Sequence, residues 1–168
     1  MSFHVPMLLL AILCIPALCT DLLARRVPNT LLAAIMLLQA GWLAWQLIQG
    51  GSWHSASVHL LGLGLGLLAL LPFWVIGWMG AGDVKLFAVI GFLLGYRMLL
   101  PVWALASLLN GAALVALWFA RSRPALALVE AKLAGRPCGE RLRQMRAGRH
   151  GMPYAAFLAL SALVIASI

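Results

Sequence analysis

Six runs of apolar residues follow one another along the chain, separated by short polar or glycine-containing segments. A helix needs about 20 mostly apolar residues to cross the hydrocarbon core of a bilayer, and five of the runs reach or approach that length. The predicted spans are, in chain order, 5–23, 28–48, 58–79, 84–96, 98–120 and 152–168. This pattern predicts an all-α, polytopic integral membrane protein, with residues 1–168 forming a single six-transmembrane-helix bundle.

The fourth run is too short to cross a membrane by itself. Residues 84–96 would extend only ~20 Å as a helix, against a hydrocarbon core of about 30 Å. Two arrangements fit this length. Either Arg97 reaches out to the membrane surface and extends the helix, or the helix begins with Asp83 below that surface.

Several residues within or beside the spans predict how the helices pack. Pro28 suits the first turn of the second helix. Gly62 and Gly66 have the GxxxG spacing that lets helix backbones approach closely. Asn110 is expected to hydrogen-bond between helices, with lining of the functional site as the alternative. His54 and His59 are expected at a solvated or interfacial position rather than at a metal.

Composition excludes a soluble domain and changes how the positive charge is interpreted. The chain is 64% hydrophobic, with a mean hydropathy of +1.02 and a net charge of +8. In a membrane protein of this kind, basic residues determine topology and contact anionic lipids. We therefore expect lipid contacts and no nucleic-acid partner.

The basic residues also predict orientation. Six spans place the segments 21–29, 80–85 and 121–151 on one side of the membrane. That side holds every Lys and Arg except Arg97, and 121–151 is a long basic loop. The positive-inside rule makes this side cytoplasmic and leaves both termini outside.

The cysteines predict neither a disulfide framework nor a metal centre. Cys14, Cys19 and Cys138 form no CxxC pair, and no histidine lies at zinc-ligand spacing from them. Cys14 and Cys19 are expected to act as small apolar residues in the first helix. No metal or cofactor is expected.

Asp21 and Asp83 are the candidate chemical groups. The chain has only four acidic residues, and these two adjoin predicted spans on the cytoplasmic side. A carboxylate at a membrane span is costly and is usually functional. Two neighbouring carboxylates in a low-dielectric site share one proton. The ionised member can activate water while the protonated member donates to a peptide carbonyl oxygen.

Each aspartate also has a purely structural interpretation. Asp21 could pair with Arg25, four residues later on the same helix face, and Asp83 could cap the fourth helix. Gly80 and Gly82 would allow a substrate backbone to approach Asp83 and would permit unusual dihedral angles there.

Three motifs resemble those of one peptidase family. Gly80-Ala81-Gly82-Asp83 is similar to the GxGD signature of type IV prepilin peptidases. The segment Asp21-Leu22-Leu23-Ala24-Arg25-Arg26-Val27-Pro28-Asn29 resembles the first aspartate motif of the short, Tad/Flp-type members. Pro153-Tyr154 is similar to a late Pro-Tyr motif of the family.

The resemblance implies an aspartic endopeptidase of the bacterial inner membrane. It would remove the short basic leader of prepilins or pseudopilins at the cytoplasmic face, with Asp21 and Asp83 as the catalytic pair. Longer members carry an N-terminal region with CxxC motifs that is linked to N-methylation, so here we expect no S-adenosylmethionine and no zinc. The remaining residues are expected to shape the site: Gly80, Gly82, Lys85, Arg25, Pro28, Asn29, Pro153 and Tyr154.

Three other functions fit parts of the pattern. Presenilin-like GxGD proteases share the second motif but have Tyr before the first aspartate, where this chain has Thr20. A small transporter would use the two carboxylates as a proton or cation relay near mid-membrane. A non-catalytic assembly factor would tolerate conservative changes at both aspartates.

Overall fold

The protein is described from a computed structural model that covers residues 4–24, 27–121 and 154–167. Within these residues the chain is all-helical, which confirms the predicted fold class. The six helices are α1 (His4–Ala24), α2 (Asn29–Ile48), α3 (Trp53–Val75), α4 (Ala81–Leu94), α5 (Tyr96–Arg121) and α6 (Tyr154–Ser167). The basic loop, Arg25 and Pro153 lie outside the described residues, apart from Arg121, which ends α5.

The short helix α4 lies at the centre of the bundle. It contacts all five other described helices, and its residues from Leu86 to Leu93 are all buried. A helix that is apolar on every side is expected to be enclosed by protein. The central position therefore explains why a 14-residue helix with no polar face is stable here.

Glycines allow α3 to pack directly on α4. A Cβ atom added to Gly62 would overlap the carbonyl oxygen of Gly91 and lie 2.7 Å from its carbonyl carbon. One added to Gly66 would lie 3.0 Å from the Cα of Ala88. The predicted close approach at the GxxxG pair is thus confirmed, and it determines the position of α4 along the axis of α3.

The outer helices present their apolar residues away from the protein. Leu37 on α2, Leu68 on α3 and Trp118 on α5 are all more than half exposed. Of the described helices, four are long and apolar enough to cross a membrane: those containing Val5–Leu22, Asn29–Ile48, Trp53–Val75 and Tyr96–Phe119. The protein is therefore membrane-integral, with two shorter helices, α4 and α6, packed within or against the four longer ones.

Some predicted boundaries are wrong. The third helix begins at Trp53 rather than 58, because Ser52 caps it by accepting a hydrogen bond from the Ser55 N–H. It ends at Val75, before a turn in which Gly77 has a φ of +82°. The fourth helix begins at Ala81 and therefore includes Asp83.

Arg97 does not extend the fourth helix. Gly95 has a φ of +83°, which ends α4, and the chain begins α5 at Tyr96. Arg97 is exposed in the first turn of α5, and its Nε donates to the Tyr96 hydroxyl at 3.4 Å. The first explanation of the short fourth run is therefore wrong.

Candidate active site

Asp21 lies near the end of α1 and is only 6% exposed. Its Oδ2 accepts a hydrogen bond of 2.8 Å from the backbone N–H of Ala156, the third residue of α6. The first N–H groups of a helix have no partner within the helix. The start of α6 therefore supplies a fixed donor to a carboxylate that is 135 residues earlier in the chain.

Asp83 is the third residue of α4 and is half-buried. Its carboxylate interacts with the backbone N–H groups of Gly80 and Ala155 and lies close enough to Asp21 for their charges to repel. Gly80, not Asp83, occupies the N-cap position, so the expectation that Asp83 caps α4 through that position is wrong. Instead its side chain reaches back to the Gly80 N–H, as an acidic residue at the third helical position can.

The two carboxylates share one helix end. Ala155 and Ala156 are consecutive, and their N–H groups face Asp83 and Asp21 respectively. The positive end of the α6 dipole favours negative charge at this place. The fold thus brings two like charges together and partly offsets their repulsion with backbone donors, before any substrate is bound.

The glycines of the second motif provide space rather than unusual dihedral angles. Gly80 has φ −73° and ψ 144°, which any residue can adopt, and Gly82 is helical. A Cβ on Gly80 would lie 3.4 Å from Oδ2 of Asp83, and one on Gly82 would contact Val27 at 3.7 Å. The dihedral part of the expectation is therefore wrong, and the absent side chain at Gly80 leaves the Asp83 carboxylate accessible.

The first motif packs beside the second. Val27 faces Gly82, and Lys85 Nζ donates to Asn29 Oδ1 at 3.3 Å on the exposed surface. Pro28 precedes α2 at the N-cap position rather than within its first turn, and its carbonyl oxygen accepts from the Leu32 N–H. These contacts join the start of α2 to the first turn of α4.

Tyr154 lies near Asp83 and hydrogen-bonds Ser107, a residue that the sequence analysis did not identify. The Tyr154 hydroxyl and the Ser107 hydroxyl are 3.2 Å apart, and the Tyr154 ring interacts electrostatically with Asp83. Ser107 and Asn110 are three residues apart on α5, a polar pair on one face that could have indicated this contact. Asn110 Oδ1 is buried and has no hydrogen-bond partner among the described residues, so the predicted interhelical bond is not found there.

The described residues therefore form a helical bundle with helices long enough to cross a membrane and two carboxylates close together at one end. Over residues 8–116, more than half of its length, the chain matches the model of the type IV leader peptidase family. The chain belongs to that family and is therefore a membrane-integral peptidase. No curated protein and no solved structure is significantly similar to it.

The matched segment includes both aspartates but ends within α5. Helix α6, whose N-terminus faces both carboxylates, lies outside the match.

Proposed function

We propose that this peptidase is an aspartic endopeptidase that removes the short basic leader from type IV prepilins or pseudopilins of the Tad/Flp type. The observation that supports this most strongly is the juxtaposition of Asp21 and Asp83 at the N-terminus of α6. Both aspartates belong to motifs that resemble those of the short prepilin peptidases.

In the proposed reaction the two carboxylates hold one proton between them. The ionised carboxylate takes a proton from water as the water oxygen bonds to the scissile carbonyl carbon, and the protonated one donates to the carbonyl oxygen. Collapse of the tetrahedral intermediate then breaks the C–N bond: the protonated carboxyl donates to the leaving amine, and the other carboxylate takes a proton from one hydroxyl of the intermediate, which restores the one-proton pair. Because the titration belongs to the pair, neither residue is assigned as the sole base.

The surrounding backbone favours this chemistry. Donors at the start of α6 are held by the helix and need no reorganisation during the reaction, which is the condition for effective electrostatic stabilisation. The small residue Gly80 leaves space for an extended substrate beside Asp83. Tyr154, bonded to Ser107, forms a further polar wall near Asp83.

The proposed location is the cytoplasmic face of the bacterial inner membrane, with both termini outside. The uneven distribution of Lys and Arg supports this orientation. Asp21 lies in the last turn of α1 and Asp83 in the first turn of α4, so both carboxylates lie at the same end of the bundle. A proton or cation relay near mid-membrane fits this arrangement less well, because such a relay needs polar groups leading in from both sides.

The test is leader removal by purified variants in the same detergent or lipid. Asp21→Asn and Asp83→Asn should each insert and fold but leave a Flp-type prepilin uncleaved. Glu130→Gln and Glu140→Gln are matched controls, since each removes one negative charge outside the proposed pair and should retain cleavage.

Asp→Glu at either position should also lose most activity. The extra methylene displaces the carboxylate, and ~1 Å of misplacement can cost about a hundredfold in rate. Normal processing by either Asn variant would refute the catalytic pair. Cleavage of another membrane protein but not of a prepilin would refute only the substrate.

A further inference from the structure

A cavity lies at the end of the bundle opposite the carboxylate pair. It has a volume of about 300 Å³ and is formed where the second half of α2 meets the start of α3 and the end of α4. This volume is within the range of small-molecule sites. Leu93 of α4 lines it, ten residues and so ~15 Å along the helix from Asp83.

The end of α4 determines how two polar side chains are arranged in this cavity. The Phe92 carbonyl belongs to the last turn, where carbonyl groups lack helical partners. Gln39 Nε2 donates to it at 3.5 Å and His59 Nδ1 at 2.9 Å. A carbonyl only accepts, so the imidazole Nδ1 must carry a hydrogen and the Gln39 amide oxygen must point away.

This arrangement leaves one buried acceptor and one buried donor unused. Gln39 is fully buried, and neither its Oε1 nor the buried Trp42 Nε1 has a hydrogen-bond partner among the described residues. The two residues are three apart on α2 and therefore share a face. A buried polar group without a partner is destabilising, so binding of a molecule that accepts from Trp42 and donates to Gln39 is favoured. A hydroxyl group does both.

Beyond Gln39 and Trp42, the wall is mostly apolar, with Gln46, Ser55 and His59 as its other polar residues. Among the described residues no Lys, Arg, Asp or Glu lines the cavity, and its walls include Leu43, Leu93, Leu94 and Met98. Apolar cavities of this kind tend to stay dry, so water would satisfy only the polar end. An alkyl chain is the group that matches the remaining surface.

The cavity also has an entrance. A neighbouring groove of about 550 Å³ shares Trp42, Leu43, Gln46 and Ser55 with it and continues to the turn at Gly50–Ser52. A ligand can therefore pass between this turn and the buried Gln39 without disturbing the carboxylate end.

We propose that this cavity is a binding site for a neutral amphiphile with a hydroxyl head and an alkyl chain, of the monoacylglycerol class. The hydroxyl oxygen accepts from Trp42 Nε1–H, the hydroxyl hydrogen is donated to Gln39 Oε1, and the chain lies along Leu43 and Leu93. This inference does not depend on the proposed peptidase substrate.

The test uses the whole protein, labelled with nitrogen-15 at tryptophan, in phosphatidylcholine nanodiscs. Among the indole signals of the seven tryptophans, the one lost in Trp42→Phe belongs to Trp42. Titration with 1-monododecanoylglycerol should shift that signal saturably. Trp78, which is 77% exposed and lines neither the cavity nor the groove, should not show the same saturable shift.

Two further arms test the chemistry of the site. Dodecanoate and dodecyltrimethylammonium carry the same chain with a charged head and should bind at least tenfold more weakly. Gln39→Leu removes the acceptor and should weaken binding of the monoacylglycerol about five- to tenfold, the worth of one hydrogen bond. Ser57→Ala, on α3 outside the cavity, should bind normally.

An unmoved Trp42 signal, as expected if only water occupies the cavity, would overturn the proposal. So would equal binding of the charged and neutral heads, or unchanged affinity in Gln39→Leu.

Discussion

Replacement of Gly62 by alanine should destabilise the bundle, because α3 and α4 touch through their backbones at this residue. The added Cβ would overlap the Gly91 carbonyl oxygen and would lie 2.7 Å from the Gly91 carbonyl carbon and 3.0 Å from that of Gly95. These neighbours are main-chain atoms and cannot turn aside as a flexible side chain can. The helices must separate instead.

The change in the free energy of unfolding of Gly62→Ala follows from two opposing effects. Overpacking of this kind costs about 1–3 kcal/mol or more, whereas Gly→Ala within a helix gains about 1 kcal/mol through propensity. At Gly62 the steric cost should prevail. Gly64 is the matched control, because it is on the same helix and a Cβ there would meet nothing within 4 Å.

Gly64→Ala should therefore be as stable as the parent protein or more stable. Both variants gain the same helix propensity, so their stabilities should differ by the steric cost alone, about 1–3 kcal/mol or more. Thermal unfolding in one detergent, followed by tryptophan fluorescence, measures the difference. Because α4 also bears Asp83, Gly62→Ala should lose peptidase activity at a lower temperature than Gly64→Ala. Equal stability of the two alanine variants would refute the close packing of α3 on α4.

The remaining predictions concern the residues around the carboxylates. Ala156→Pro deletes the N–H that binds Asp21, at a helix position where no intrahelical bond is lost. The cleavage rate should fall about 10–100-fold, because a hydrogen bond to a charged group is lost. Ala156→Ser keeps the N–H and should retain most of the cleavage rate. Ser107→Ala removes the hydroxyl partner of Tyr154 and should lower the cleavage rate several-fold, and Tyr154→Phe should have a similar effect. If the two hydroxyls act through their mutual bond, the double variant should be no worse than either single one, so additive losses would contradict that contact.

In the part of the chain that the structure describes, the sequence predicted the number and type of helices because apolar run length is a direct requirement of the bilayer. It also predicted the close approach at Gly62. The sequence-based interpretation of residues 84–96 was only partly right, because a short apolar run does not reveal whether the ends of the helix contact water, lipid or protein. The central position of α4 depends on contacts with five helices, and these are properties of the whole fold.

The candidate site was predictable only in part. Asp21 and Asp83 were identified because carboxylates are rare in this chain, and the structure brings them together. The interaction of the Ala155 and Ala156 N–H groups with the carboxylates was not predictable, because every residue except proline has a backbone N–H and the residue type does not indicate its partner. His59 was expected at a solvated or interfacial position, but it hydrogen-bonds the Phe92 carbonyl between helices, a partner that exists only because Gly95 ends α4.

The most direct measurement of the central claim is whether positions 21 and 83 can be bridged. Asp21→Cys and Asp83→Cys, combined in a chain whose native cysteines are replaced by serine, are treated with a short bifunctional thiol reagent and analysed by mass spectrometry. The control pair combines Asp83→Cys with native Cys19, which is exposed and lies about 200° around α1 from Asp21. The account predicts efficient bridging of 21 to 83 and little of 19 to 83. Failure of the first pair to bridge, or equal bridging of both pairs, would contradict it.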